Sequence, residues 1–307
     1  MLAARLIDRT GKGFRGAPRD AIIADSTPPE VCGAAFGWHR AMDTMGAVLG
    51  PLLALGLLSL VGGDLRRVIL LAAVPGAIGA LLVLTVSDPR RKQGAAATRA
   101  QAFERAPARE NGGRPRRPAM PRSFRQYLCA WLPFVLVNSS DVFLILRAKQ
   151  LGFSTAAVVL VYTIYNLVCA LASVPLGHLS DRLGRRRVLA GGMIVFAAVY
   201  GGFTVANRAW HVVGLFAVYG LYIAATDGVG KAFAIDLVPH GLRATAIGLL
   251  GTLTGVATLL ASGVAGVLWD GVGPWAPFLF GAVGALVSAV LFASLPGLRR
   301  APIAGVA

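Results

Sequence analysis

Asp141 has the setting in this sequence that most asks for a chemical role. It follows Asn138, Ser139 and Ser140 inside an otherwise apolar stretch, with no local basic residue nearer than Arg147 at its far end. Desolvation favours the neutral acid, and a carboxylate poised between its two forms can load and release a proton. Pairing with a basic residue from another segment, such as Lys12 or Arg15, is the alternative. A second group is His39, Arg40 and Asp43, whose three- and four-residue spacings let Asp43 reach either partner on one helical face. A third is Asp227 with Lys231, again four apart, preceded by Tyr219 and Tyr222. Tyr162, Tyr165 and Asn166 add further polar and aromatic surface. Such groups either satisfy one another or line the path of a polar solute.

Enzyme signatures do not emerge. TGKGFRG and DGVGKAFA approach a phosphate-binding loop, but Gly13 follows Lys12 and Ala232 follows Lys231 where Ser or Thr is needed. The four histidines are dispersed, and Cys32, Cys129 and Cys169 lack metal-site or disulfide spacing. No catalytic residue, metal or cofactor is therefore assigned.

The elements that must position these groups follow from composition. Of 307 residues, 56% are hydrophobic and 14% charged, with a mean hydropathy of +0.66. This excludes an ordinary soluble enzyme. Runs of about 20 apolar residues cross a bilayer as helices, and eight are expected, at 34–60, 67–87, 126–146, 155–177, 188–206, 211–235, 244–268 and 275–295. Segment 3–26 is interrupted by Arg5, Asp8, Arg9, Lys12, Arg15, Arg19 and Asp20, spaced along one helical face. It reads either as a cavity-lining span shielded by partner helices or as a surface helix, with Pro18 bending or ending it. Gly46, Gly50 and Pro51 are expected to permit close packing and a bend in span 34–60.

The net charge of +16 could suggest nucleic acid, but its distribution argues for topology. Segment 88–125 carries eleven basic residues against three acidic ones and reads as a disordered linker. With that linker inside, eighteen basic residues, including Arg182, Arg185, Arg186, Arg187, Arg243, Arg299 and Arg300, share its side and five lie opposite. The C-terminus is then cytoplasmic. Trp131, Trp210, Trp269 and Trp275, near span ends, fit an aromatic belt.

DSTPPEVCGAAFG at 25–37 and DLVPHGLRATAIG at 236–248 coincide at Asp25/Asp236, Pro28/Pro239, Ala35/Ala246 and Gly37/Gly248, an offset of 211. Parallel repeats in two halves of a carrier place a substrate site between them. Three spans precede the second repeat after the linker, and none precedes the first. A symmetric ancestor would begin about 85 residues upstream of Met1, so three helices are expected to be lacking.

GHLSDRLGRRRV at 177–188 resembles the Gly-x-x-x-Asp-Arg-x-Gly-Arg-Arg loop motif of the major facilitator superfamily, at its second-half position. GAVLGPLLALG at 46–56 resembles the Gly-Pro motif of that family's fifth helix, and the Arg5 segment resembles its fourth. The resemblance implies an all-α polytopic membrane protein with a two-bundle fold lacking the first three of twelve helices. Its parts would be a partial bundle at 1–87, a cytoplasmic linker at 88–125 and a six-helix bundle at 126–307. It further implies a secondary carrier in a bacterial inner membrane, exporting a small solute or drug by alternating access and driven by protons. Asp141 would carry the proton. His39, Arg40, Asp43, Asn138, Asp227, Lys231, Arg15, Tyr162 and Asn166 would line the path, and Gly177, Asp181, Arg182, Gly184, Arg185 and Arg186 would form a gating loop. Asp181 can face a helix N-terminus, and the arginines can pair with carboxylates or lipid phosphates. The partners are a small-molecule substrate, protons and lipid, without nucleic acid. The rival reading is a non-transporting membrane remnant or scaffold.

Overall fold

A computed structural model describes residue 16 and residues 19–83 and 119–295. Lys12, Arg15, Pro18, most of the 88–125 linker and the C-terminal Arg299 and Arg300 lie outside them. The described residues are all-helical, without strands. Residues 19–26 are helical, followed by a 3-10 turn Pro29–Val31 and helix α1, Cys32–Leu60. Then come α2 (Leu65–Val83), α3 (Arg122–Val137), α4 (Val142–Gln150), α5 (Thr155–Leu183), α6 (Arg185–Val205) and α7 (Ala209–Asp236). A 3-10 turn His240–Leu242, α8 (Arg243–Gly271) and α9 (Ala276–Ser294) complete the order. Seven segments among the described residues are long and apolar enough to cross a membrane. Six correspond to expected spans, and a seventh, Arg122–Gln150, is the expected span 126–146 divided in two. The eighth expected span, 67–87, corresponds to α2 and runs past the described residues.

Residues up to Pro51 and from Met120 onward form one compact unit, and Leu52–Ala119 a second. In the second, Asp64 accepts the backbone N–H groups of Arg66 and Arg67 and starts α2, whose Ile69, Leu70, Leu71, Val74, Ile78, Leu81 and Leu82 are exposed. In the first, α7 packs against α5 and α6, and α9 against α6 and α3. Their core is aromatic: Phe134, Phe196, Tyr200, Phe203, Phe216, Tyr219, Tyr222 and Phe278 are buried, and Phe196 and Tyr200 stack with ring centres 3.9 Å apart. Trp131 belongs to this core and not to an interfacial belt. It is 7% exposed and donates to Thr254 Oγ1 at 3.4 Å.

Two expectations are corrected here. The stretch 126–146 is broken: Asn138–Ser140 leave the helix, and Ser262 Oγ accepts the Ser140 N–H at 3.1 Å. Non-helical backbone at membrane depth survives only with such partners. The motif at 177–188 is not a loop, because α5 continues through Leu183 and α6 starts at Arg185. Gly184 alone, at φ +93°, turns the chain there. Gly177 makes no turn. Its role is close approach, since a Cβ there would meet Gly33 O at 2.5 Å. At Gly46 and Gly50, a Cβ meets nothing within 4 Å among the described residues. The close contacts of α1 fall earlier, where Gly33 and Gly37 lie against α5 at Ser180 and Ser173.

The repeat is visible in the structure. Adding 211 to Pro29–Val31 gives His240–Leu242, both 3-10 turns, and adding it to Cys32–Leu60 gives Arg243–Gly271, both helices of 29 residues. Gly177→Ala should lower the melting temperature of the purified protein, the usual overpacking cost being about 1–3 kcal/mol. Gly46→Ala, placed in open space, should leave it unchanged.

Candidate functional site

The helix ends gathered around the 177–188 motif form one ion-paired cluster. Asp181 accepts the backbone N–H groups of Gly33 and Ala34, one on each oxygen, both at 2.9 Å. It thereby caps α1, where the helix dipole favours an anion. Arg185 Nη1 donates to Asp181 Oδ1 at 2.6 Å, its Nε to Asp236, and its Nη2 to Pro29 O at 3.0 Å. The planar guanidinium thus ties α5, α6, α7 and the turn before α1 together. Arg243 lies beside Asp25, the repeat equivalent of Asp236, donating to Ala24 O at 3.1 Å with Asp25 Oδ1 at 3.5 Å. Arg186 donates instead to the carbonyls of Phe292 and Ala293 at the end of α9. Arg182 is exposed.

Further along the helices lies a small open pocket lined by Arg19, Phe36, His39, Arg40, Asp43, Asp227, Gly228 and Lys231. Arg40 Nη1 lies 2.8 Å from Asp227 and 4.0 Å from Asp43. Lys231 does not turn back to Asp227 within α7. It pairs with Asp20 Oδ2 at 2.7 Å, and Arg19 Nε takes Asp20 Oδ1 at 3.2 Å. Asp20 and Lys231 are themselves 211 apart, so equivalent positions of the two repeats touch. Equivalent positions in contact lie beside the axis relating the repeats.

Asp141 sits at the helix break, immediately before α4. Tyr219 Oη donates to its Oδ1 at 2.7 Å and Tyr165 Oη to its Oδ2 at 3.3 Å. Among the described residues no basic side chain pairs with it. Asn138 Nδ2 donates to Tyr222 Oη at 2.9 Å. Asn166 gives its amide to Tyr162 O at 2.8 Å within α5, and Tyr162 stacks edge-on against Tyr165.

The structure therefore brings His39, Arg40, Asp43, Asp227 and Lys231 to one pocket, and Asp181 and Arg185 to one cluster. Asp141 with Asn138 stands apart from both, and Arg15 lies outside the described residues. Sequence reasoning overlooked Asp20 as the partner of Lys231 and Asp236 as the partner of Arg185. The offset of 211 was a usable signal for Asp20.

Comparison with known proteins agrees with this architecture. The family model of the Major Facilitator Superfamily matches residues 1–147 and 126–306, and the chain belongs to that family. An uncharacterised MFS-type transporter of Methanocaldococcus jannaschii is 34% identical over 291 residues, 93% of this chain and 69% of the relative. An uncharacterised protein of Mycobacterium tuberculosis strain H37Rv is 27% identical over 268 residues, 86% of this chain and 63% of the relative. The chain thus spans about two thirds of the length of these relatives. The human organic anion transporter MFSD10 shares the fold, with a TM-score of 0.72 at 17% identity over 95% of this chain and 70% of that one.

Removing Arg185 would leave Asp181 and Asp236 without their shared cation. Breaking a buried pair in this way typically costs about 3–5 kcal/mol, so Arg185→Ala should melt well below the unaltered protein. Arg185→Lys should recover only part of the loss, because one ammonium cannot present the same fork of N–H groups.

Proposed function

We propose that the chain acts as a secondary active carrier, moving a small solute across a bacterial inner membrane by alternating access. The observation that carries the reading is the Arg40–Asp227 pair, which joins α1 of the first repeat to α7 of the second at the wall of a polar pocket. A pair between repeats can break and re-form as they rock. A static scaffold would gain nothing from charges there, since apolar residues of similar volume usually serve stability as well or better.

In this proposal the helices before the linker belong to one bundle and those after it to the other. The Asp181–Arg185–Asp236 cluster, with Gly177, Arg182, Gly184 and Arg186 around it, is the gate on the cytoplasmic side, where the basic loops and the C-terminus lie. Asp141 is the proton site. It is a carboxylate held by two hydroxyls, with no ion pair among the described residues. Protons moving inward through that site would drive the solute outward, which is export. His39, Arg40, Asp43, Asp227 and Lys231 line the solute path.

The test uses the full chain in proteoliposomes with a pH-reporting dye inside. Proton movement evoked by small solutes is expected from the unaltered protein and should be lost in Asp141→Asn, while exchange of the same solute across the membrane persists. Undiminished proton movement in Asp141→Asn would remove Asp141 from the coupling.

A further inference from the structure

We infer that the pocket selects zwitterionic solutes, small molecules carrying an anionic and a cationic group about one helical turn apart. The inference rests on the pocket being the solute site.

The pocket charges are unevenly shared. At one end Arg19 and Lys231 divide a single carboxylate, Asp20, which is 3% exposed, so two cations face one anion. At the other end Arg40 stands between Asp227 and Asp43, so two anions face one cation. The side chains at both ends stay open to the pocket, Arg19 at 38% and Lys231 at 33%, Asp43 at 59% and Asp227 at 45% exposed. With His39 counted as neutral, the two surpluses cancel among the described residues. They do not coincide. Lys231 follows Asp227 by four residues on α7, a rise of about 6 Å.

A singly charged solute would satisfy one end and carry uncompensated charge into a medium where that is costly. An uncharged solute would leave both surpluses without a partner. A solute of zero net charge with separated poles pairs with both, its anion toward Arg19 and Lys231 and its cation toward Asp43 and Asp227.

The experiment compares matched probes on the purified full chain in lipid nanodiscs, reading the rise in melting temperature that a bound ligand produces. The zwitterions run from β-alanine through γ-aminobutyrate to 5-aminopentanoate, and the singly charged controls are n-butyrate and n-butylammonium. At least one zwitterion should bind about tenfold more tightly than either control, the scale of one charge contact. Asp43→Asn, at an exposed position, should shift preference toward n-butyrate, and Lys231→Gln should shift it toward n-butylammonium. Opposite shifts cannot arise from general loss of stability. If a control matches every zwitterion and pocket substitutions still abolish its effect, zwitterion selection falls and the pocket stands as a solute site. If no probe shifts melting in any of the three proteins, both readings fall.

Discussion

Charges on the membrane-length helices of this protein are compensated chiefly by opposite charges on other elements, while Asp141 is held by hydroxyls. Arg40 of α1 meets Asp227 of α7, Lys231 of α7 meets Asp20, and Arg185 of α6 meets Asp181 of α5 and Asp236 of α7. Each pair links two elements, and breaking a buried one would leave an uncompensated charge. The start of α1 depends on the same economy. Its first N–H groups are satisfied by a carboxylate nearly 150 residues away in sequence. Glycine makes the approach possible, since Gly33 and Gly177 let the backbones of α1 and α5 come together where that carboxylate reaches across.

The repeat gives these contacts their logic. The two turn-and-helix units match end to end at one offset, and Asp25 and Asp236, equivalent in the repeats, each lie beside an arginine. Asp20 and Lys231 are equivalent positions of the two repeats that carry opposite charges and pair with each other. Such a bond beside the axis lies where a path between repeats must pass.

Much of the fold was legible in the sequence. Apolar run lengths gave the spans, and the box at 25–37 gave the repeat. The site was less legible. Spacing of three or four residues shows which charges could meet on one helix, and it favoured Asp227 with Lys231. Cross-element partners leave no spacing rule, so the observed pairs had to come from the fold. The break at Asn138–Ser140 carries no glycine or proline, and the serine that supports it comes from α8, far away in sequence. The 177–188 motif looked like a loop because it is rich in charge. It stays helical because Asp181 and Arg185 spend that charge on neighbouring helix ends. Trp131 lies near an expected span end, but the helix starts earlier, at Arg122, and carries it into the core.

Ion pairs between elements, more than those within a helix, compensate the charges of the pocket. A double-mutant cycle on Arg40 and Asp227, with parallel cycles on Arg40 with Asp43 and Asp227 with Lys231, measures this through unfolding of the purified protein. A coupling energy of about 1 kcal/mol or more is expected for Arg40 with Asp227, and near-additivity, within about 0.5 kcal/mol, for the two pairs that share a helix. Coupling confined to the same-helix pairs, with additivity between Arg40 and Asp227, would contradict it.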